Sequence, residues 1–260
     1  MSNVFRERIL DGKSAFITGA GSGINLTIAQ CFARQGARVA ILGRKQEKLD
    51  AAVKQIASNG SAIAFSADVR HYDAVASALR QAHEQHGPID ILICGAAGNF
   101  PARALDISAN GFKAVVDIDL LGTFNTCRAA YEFLTRPGAS VINISAVNAL
   151  VPIPAQAHVC AAKAGIDMLT RVLAVEWGPD GVRINSIAPG PVDDTEGMRR
   201  LAATAEVRDR INDTIPLRRF ATKDEIAALA LFLCSDAAQY ITGAVIPCDG
   251  GQSLSGHSLQ

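Results

Sequence analysis

A glycine-rich stretch at residues 18–25 has the composition of a phosphate-binding turn. It reads Thr-Gly-Ala-Gly-Ser-Gly-Ile-Asn and lies directly between a short apolar run, Ser14–Thr18, and a stretch with helical periodicity. Glycines let the backbone turn sharply and approach a diphosphate, whose charge is stabilised by the N-terminus of the following helix. The spacing is not Gly-x-Gly-x-x-Gly, because Ile24 stands where the third glycine belongs. The stretch predicts a dinucleotide site at the end of the first strand.

A basic residue follows the second apolar run, where a dinucleotide site distinguishes between ribose groups. The sequence there is Leu-Gly-Arg-Lys, with the arginine at position 44. A site that prefers NAD usually has Asp or Glu here to bind the 2′-hydroxyl. Arg44 can instead pair with a 2′-phosphate through two hydrogen bonds, so it favours NADPH over NADH. The alternative is an exposed arginine that simply begins a helix.

One lysine lies in a helical stretch that is otherwise small and apolar. The neighbours of Lys163 are Ala161, Ala162, Ala164 and Ile166. A single cation in such surroundings indicates a functional site rather than a solvated face. Five residues earlier, His158 could donate a proton because histidine titrates near neutrality. The alternative, favoured by its position off the Lys163 face of the helix, is a structural histidine with satisfied hydrogen bonds.

The elements that must position these residues alternate along the whole chain. The predicted strands are Ser14–Thr18, Arg38–Leu42, Ala62–Ala67, Ile89–Cys94, Ser140–Ser145, Arg183–Ala188 and Ala244–Cys248. The predicted helices are Leu26–Gln35, Glu47–Asn59, Tyr72–His86, Ser108–Thr135, Ala155–Glu176 and Lys223–Ser235. Continuous apolar strands alternating with helices predict one doubly wound Rossmann-type α/β domain over residues 1–260, with about seven parallel strands and helices on both faces.

Residues 189–216 form an unusually long connection between the sixth and seventh strands. Ligands of doubly wound sheets bind outside the carboxyl ends of the strands, and this segment leaves such an end. Long connections of this kind usually cover a binding site. We therefore expect a substrate lid here, and we call residues 189–216 the lid segment.

Composition excludes several classes of partner. Lys and Arg together number 25, as do Asp and Glu, so no basic excess predicts binding to nucleic acid or an anionic membrane. The longest apolar run has nine residues, whereas a membrane span needs roughly 20. Six cysteines without paired spacing predict free thiols and no metal site. With no secretory signal in the N-terminal stretch and no Ser-Lys-Leu ending at 258–260, we expect a cytoplasmic protein.

An ordered series of motifs from about residue 10 to 252 resembles the short-chain dehydrogenase/reductase family. The motifs are the glycine-rich turn, with Asn25 in place of its last glycine, then Asp68-Val69, Gly95-Ala96-Ala97-Gly98, Ile144-Ser145, Lys163, Asn185, Pro189-Gly190 and Asp249-Gly250-Gly251. The resemblance implies a homotetramer and a nicotinamide cofactor. It implies cofactor contacts at Thr18, Gly19, Gly21, Ser22, Gly23, Ile24, Arg44, Asp68, Val69, Ala96, Ala97, Gly98, Lys163, Pro189 and Gly190.

The catalytic pattern of that family is broken in this chain. Most members carry Tyr-x-x-x-Lys on a helix, but Val159 stands four residues before Lys163. The usual Asn of the preceding helical stretch is replaced by Asp119. These departures, with the stretches Ala97–Phe100, 158–165 and 189–201, resemble the peroxisomal-type 2,4-dienoyl-CoA reductases. Asn148 stands where the mitochondrial type has a tyrosine, so that type does not fit.

The resemblance implies reduction of a conjugated acyl thioester, with Asp119 and Lys163 as the catalytic pair. Addition of hydride gives an enolate, whose oxygen needs fixed donors. Asn99 and Lys163 are candidate donors, and a water held by Asp119 could deliver the proton. Asp119 could instead make a local contact while Asp117 takes its role, and Asn99 could be a turn residue. Ser145 is a further candidate, at the family's catalytic serine position or one residue before it.

Candidate substrate contacts complete the expected site. They are Phe100, His158, Arg199 and Arg200. The two arginines could meet the phosphates of CoA, although neighbouring charges in a loop are more often a solvated face. Two other functions remain open: a reductase of another activated alkene or ketone, and a nucleotide-binding protein without catalysis.

Overall fold

A single parallel sheet organises the protein, whose computed structural model describes residues 8–255. The strands are β1 (Ser14–Thr18), β2 (Arg38–Gly43), β3 (Ala62–Ser66), β4 (Ile91–Cys94), β5 (Ser140–Ile144), β6 (Arg183–Pro189) and β7 (Val245–Cys248). Their order across the sheet is β3-β2-β1-β4-β5-β6-β7. The predicted doubly wound α/β fold is confirmed. The N-terminal stretch through residue 7 and the ending at 258–260, which bear on location, lie outside the described residues.

Nine α-helices are found in the described part of the chain. They are α1 (Gly23–Arg34), α2 (Gln46–Ala57), α3 (Tyr72–His86), α4 (Ala109–Val116), α5 (Gly122–Ala130), α6 (Ala157–Trp177), α7 (Glu196–Leu201), α8 (Ala205–Asp213) and α9 (Lys223–Cys234). The first begins three residues before its predicted start, because the glycine-rich turn runs straight into it. The lid segment contains two short helices, α7 and α8, which follow one another along the chain.

The predicted helix Ser108–Thr135 was wrong in its continuity and its end. A π-helical turn at Asp117–Leu121 separates α4 from α5, and α5 stops at Ala130. A 3₁₀ turn follows, after which Leu134 adopts an extended conformation. Hydrophobic periodicity does not reveal a π turn, because it is read over windows of about 11–18 residues and this turn is much shorter.

The core lies on both faces of the sheet because successive strand residues point to opposite sides. Ile17 of β1 packs with the helical layer that includes α1 and α9, while Phe16 packs with the layer that includes α3 and α5. Both side chains are fully buried. This explains why the strand sequences are continuously apolar rather than alternating.

The chain reverses its winding direction at β1, which has β2 on one side and β4 on the other. Such a switch point leaves a crevice at the carboxyl ends of the strands. The turns after β1, β4 and β5 and the start of the lid segment meet at this crevice. Across residues 8–255, no helix has the length and apolarity to cross a bilayer.

Candidate active site

The turn between β1 and α1 is held against the loop that follows β4. Gly19 has φ +71°, and a Cβ there would lie 2.8 Å from the backbone of Ala96. Thr18 is buried, and its hydroxyl accepts a hydrogen bond from the backbone N–H of Gly95 at 3.0 Å. Thr18 therefore positions the loop and is not among the residues that line the dinucleotide cavity, so its direct contact with the cofactor stays a prediction.

Asn25 makes a second link between these loops. Its buried side-chain amide donates to the carbonyl oxygen of Gly95 at 2.7 Å. A Cβ at Gly95 would lie 2.4 Å from that amide, so only glycine fits opposite Asn25. The departure from the family motif at position 25 thus adds a polar contact where a glycine would have none. Its role was not foreseen from the sequence.

A cavity of about 400 Å³ lies between the glycine-rich turn and the end of β2. Its lining includes the predicted cofactor residues Gly19, Gly21, Ser22, Arg44, Asp68, Val69, Ala96 and Ala97. At the N-terminus of α1, Ser22 makes no side-chain capping hydrogen bond and the first turn contains no acid. The first N–H groups of this helix therefore suit an external anion such as a diphosphate. These residues fit a nicotinamide dinucleotide.

Asp68 keeps its charge at the edge of this cavity. Its carboxylate accepts two hydrogen bonds from the Arg70 guanidinium, the shorter at 2.6 Å. These bonds, assisted by the backbone N–H of Arg70 and against the effect of partial burial, lower the pKa of Asp68 to about 2. Asp68 thus lines the cavity as a carboxylate already paired with Arg70, and Val69 lines the cavity beside it.

Lys163 and Asp119 meet at the centre of the site. The Lys163 ammonium lies 3.1 Å from Asp119 Oδ2 and donates to the carbonyl oxygen of Ile144 at 3.0 Å. Asp119 Oδ1 accepts the backbone N–H of Gly98 at 2.7 Å. Both charged side chains are buried. Two opposite charges held out of water act on a bound substrate with little screening.

The π turn explains why Asp119 rather than Asp117 reaches the site. Asp119 is fully buried within the turn, whereas Asp117 pairs with Lys113 on the outer face of α4. The additional residue of a π turn changes the direction of the side chains within it. The ambiguity between the two acids is thereby resolved in favour of Asp119.

A second cavity of about 570 Å³ opens beside the ion pair. Its polar lining includes Asn99, Ser145, Asn148, Gln156 and the Asp119–Lys163 pair, with Gly23, Ile24, Gly98, Pro189 and Gly190 at the side nearest the dinucleotide. Its apolar lining includes Val147, Ile153, Pro154, Val159, Met198 and Leu201. We call it the catalytic cavity. It can hold a flexible apolar group with its polar end against Lys163.

Ser145 lies between this cavity and a buried acid. Its buried hydroxyl makes no hydrogen bond of ordinary length, but Asp167 on α6 faces it. Asp167 accepts a hydrogen bond from Ser186 at 2.8 Å. Burial raises the pKa of Asp167, and the Ser145 and Ser186 hydroxyls with the charges of Arg171 and Lys163 partly offset this. The predicted serine is therefore backed by a carboxyl group that the sequence argument did not include.

Gln156 is a cavity residue that the sequence argument missed. It precedes α6, its side chain is buried, and its Oε1 has no hydrogen-bond partner among the described residues. A buried amide without a partner is costly unless a ligand or water supplies one. The sequence signal was weak, because a single Gln at a helix start is usually an exposed residue.

His158 and Phe100 pack against each other instead of opening into the cavity. Their ring centroids are 4.4 Å apart, and His158 is fully buried. Neither ring nitrogen of His158 has a hydrogen-bond partner among the described residues. His158 is therefore a packed residue, and the hydrogen bonds expected for a structural histidine are absent among the described residues. Phe100 covers this histidine and is itself one third exposed.

Arg199 and Arg200 diverge despite being adjacent on α7. Arg199 pairs with Asp194 at 2.9 Å and lines neither cavity described above. Arg200 pairs with Glu196 and lines the dinucleotide cavity near Arg44. The sequence offered both as possible contacts to the phosphates of CoA, with a solvated face as the alternative. The structure agrees with that alternative for Arg199 and brings only Arg200 to a cavity that suits phosphate, which is the dinucleotide cavity.

Comparison with known proteins identifies the family. The family profile described as enoyl-(acyl carrier protein) reductase matches residues 19–253. The peroxisomal 2,4-dienoyl-CoA reductase [(3E)-enoyl-CoA-producing] of Rattus norvegicus is 44% identical, over 97% of this chain and 88% of the relative. The chain belongs to the short-chain dehydrogenase/reductase family. The corresponding reductase of Arabidopsis thaliana is 41% identical over 98% and 89% of the two chains.

Solved structures of short-chain dehydrogenases agree with the fold described here. The crystal structure of a short-chain dehydrogenase from Bacillus anthracis superimposes with a TM-score of 0.85 at 39% identity, covering 95% of this chain and 99% of that one. The chain is thus an oxidoreductase of this family by sequence and by fold. Within the family it departs at the tyrosine position, where buried Val159 lines the catalytic cavity.

Proposed function

We propose that this protein is an NADPH-dependent reductase of 2,4-dienoyl-CoA thioesters. The observation that carries the proposal is the buried Asp119–Lys163 pair facing an apolar cavity in which Val159 replaces the phenol donor. A ketone reductase must protonate an alkoxide oxygen, for which the described lining of this cavity offers no tyrosine. The reduction of a conjugated thioester needs a proton on carbon instead. Relatives named as such reductases support the same substrate class.

The chain's own residues stabilise the negative charge of the reaction. When bound, the nicotinamide supplies a hydride to C5 of the dienoyl group. The electron pair moves through the conjugated system to the thioester oxygen, giving an extended enolate. Donors fixed near that oxygen lower the barrier, because they need no reorganisation as the charge develops. Lys163 is the cationic donor in this cavity, and the side-chain amides of Asn99 and Gln156 are neutral ones.

The second half of the reaction is protonation of carbon. The enolate takes a proton at C2, which leaves a double bond between C3 and C4 and regenerates the thioester carbonyl. Asp119 holds the water that delivers this proton. The ion pair with Lys163 fixes the position of the Asp119 carboxylate. Ser145, backed by Asp167, is a second hydroxyl within the same cavity. Atoms and charge balance with one hydride and one proton per substrate.

The preference for NADPH rests on the basic end of β2. Arg44 lines the dinucleotide cavity, and no acid occupies the position that binds a 2′-hydroxyl in NAD-preferring sites. A guanidinium pairs with a phosphate dianion through two charge-assisted hydrogen bonds. We therefore expect NADPH to bind more tightly than NADH.

A homotetramer is supported by apolar side chains exposed on α5 and α6. Phe124, Met168 and Val172 are each more than two fifths exposed, and Val175 is 78% exposed. The three residues of α6 share one face because they are four and three positions apart. An exposed apolar face of this kind is typical of a subunit interface.

A cytoplasmic location stays a prediction from the sequence.

The reaction is tested by identifying its product. Purified protein with NADPH and 2,4-hexadienoyl-CoA is expected to yield 3-hexenoyl-CoA, which nuclear magnetic resonance distinguishes from the 2-enoyl isomer by the position of the vinyl protons. Formation of the 2-enoyl isomer would place protonation at C4 and contradict the assigned proton delivery. Unchanged dienoyl-CoA, with NADPH bound, would contradict the substrate class.

A further inference from the structure

Basic side chains from two separate parts of the fold surround the ribose end of the dinucleotide cavity. Arg44, Lys45 and Lys48 come from the end of β2 and the start of α2, whereas Arg200 comes from α7 in the lid segment. Two acids also line this cavity. One is Asp68, whose charge is already neutralised by Arg70 at 2.6 Å. The other is Glu196.

Glu196 is the anion that joins the two groups of cations. One carboxylate oxygen pairs with Arg200 one helical turn later, and the other lies 3.9 Å from the Lys48 ammonium of α2. All three side chains are at least half exposed, so each pair is weak and easily exchanged. The lid is therefore connected to α2 by an acid that any stronger anion at the same place can replace.

A 2′-phosphate is such an anion, because it carries up to two negative charges whereas the Glu196 carboxylate carries one. We propose that Arg200 reads the 2′-phosphate of NADPH together with Arg44, and that Glu196 holds this place until the phosphate displaces it. The inference rests on the NADPH preference proposed above, since NADH carries no group for Arg200 to bind. It assigns cofactor selection partly to the lid segment rather than only to the turn after β2.

The same helix also forms part of the catalytic cavity. Gly197 and Leu201 of α7 line that cavity and Arg200 lines the dinucleotide cavity, while Glu196 lines both. A phosphate bound by Arg200 would therefore fix the wall against which the acyl chain lies. NADPH is expected to order the substrate cavity in a way that NADH does not.

The test is a comparison of dissociation constants for NADPH and NADH, measured by isothermal titration calorimetry without acyl-CoA. Arg200→Ala is expected to weaken NADPH binding about fivefold with NADH unchanged, which is the size of one partly exposed charge pair. Glu196→Gln is expected to tighten NADPH binding a few-fold, because the competing anion is removed. Arg199→Ala is the matched control: it removes the adjacent arginine, which pairs with Asp194, and should leave the NADPH-to-NADH ratio as in the parent.

Four results would overturn the inference. Equal changes in the ratio of the NADPH and NADH dissociation constants in the Arg199 and Arg200 variants would show that general surface charge causes the effect. Unchanged NADPH binding in Glu196→Gln would show that this acid does not compete with phosphate. A parent protein without any preference for NADPH would contradict both the inference and the proposed cofactor, whereas a preference that Arg200→Ala leaves intact would contradict the inference alone.

Discussion

The Lys163 ammonium lies 3.1 Å from the Asp119 carboxylate, and neither side chain is more than 7% exposed. In most short-chain dehydrogenases/reductases the corresponding lysine serves a tyrosine on its own helix, but here Val159 leaves it without one. The lysine instead faces an acid carried on a π turn of a different helical segment. In the proposed mechanism this ion pair supplies both the charge and the proton delivery that the missing phenol would otherwise provide.

Replacing Asp119 should affect catalysis and stability together. Asp119→Asn keeps an oxygen for the Gly98 N–H but leaves the buried ammonium of Lys163 without a counter-charge. We expect unfolding free energy to fall by about 3 kcal/mol and kcat to fall by about 100-fold or more. Denaturant unfolding and steady-state kinetics measure the two effects.

The matched control for this change is Asp117→Asn. It removes an acid two residues away that pairs with Lys113 at the surface, so we expect a stability change within about 0.5 kcal/mol and near-parental kcat. Equal losses in the two variants would contradict the assignment to Asp119. Near-parental turnover in both Asp119→Ala and Lys163→Ala would contradict the proposed mechanism.

Gln156 should contribute to binding the thioester oxygen. Gln156→Ala removes a buried amide of the catalytic cavity, and we expect kcat/KM for the dienoyl-CoA to fall by about tenfold, up to about 100-fold. Gln156→Glu has the same shape but a negative charge beside the developing enolate, so it should be slower than the alanine variant. A glutamate variant as fast as the parent would show that this side chain does not face the oxygen.

Asp167 should make stability depend on pH. Burial raises its pKa above the usual 3.8, so the folded state binds more protons than the unfolded state just above that pH. Stability contributed by this group is therefore present at low pH and is lost as pH rises through the raised pKa. Asp167→Asn still accepts the Ser186 hydrogen bond, and it should gain stability relative to the parent as the pH rises from about 4 to about 7. A difference in unfolding free energy that is flat with pH would contradict this.

The N-terminus of α9 should be the most sensitive helix cap. Thr222 and Glu225 exchange hydrogen bonds with each other's backbone, and α9 packs its buried face on α1. Thr222→Ala should cost about 1 kcal/mol of unfolding free energy. Thr204→Ala at α8, a helix without buried residues, should cost less. Equal losses of unfolding free energy in the two variants would show that the packing of α9 does not contribute to the effect of its cap.

The charge of Glu225 adds a pH signature to the same cap. Hydrogen bonds from Arg219 and the Thr222 backbone lower the pKa of Glu225 from 4.5 to about 2. A lowered pKa stabilises the fold above the unfolded-state value, and that contribution is lost as pH falls toward about 2. The difference in unfolding free energy between the parent and Glu225→Gln should therefore shrink below pH 4.5. A difference that stays constant would show that the carboxylate charge is unimportant.

Most of the fold could be predicted because the apolar strands, and the helix Tyr72–His86, are strongly patterned locally. The first strand, Ser14–Thr18, was predicted to the residue for this reason. The position of Lys163 in the site could also be predicted, since a solvated helix face would carry several polar residues around a lysine rather than alanines. Both features depend on residues close together in the chain.

The remainder of the site depends on contacts between distant segments. The π turn that buries Asp119 leaves no mark in hydrophobic periodicity, and the partner of Asn25 lies 70 residues away at Gly95. Arg199 and Arg200 are neighbours of the same type in the sequence. Because consecutive residues of a helix point in different directions, Arg199 pairs with Asp194 and Arg200 pairs with Glu196. Such outcomes follow from packing, which a single sequence does not display.

The proposed reaction is tested most directly by comparing two substrates at equal NADPH concentration. The rate of NADPH oxidation should be high with 2,4-hexadienoyl-CoA and at background with acetoacetyl-CoA. In the proposed reaction the proton goes to carbon, and the described lining of the catalytic cavity has no tyrosine to protonate an alkoxide. Turnover of acetoacetyl-CoA with no turnover of the dienoyl ester would contradict the proposed reaction.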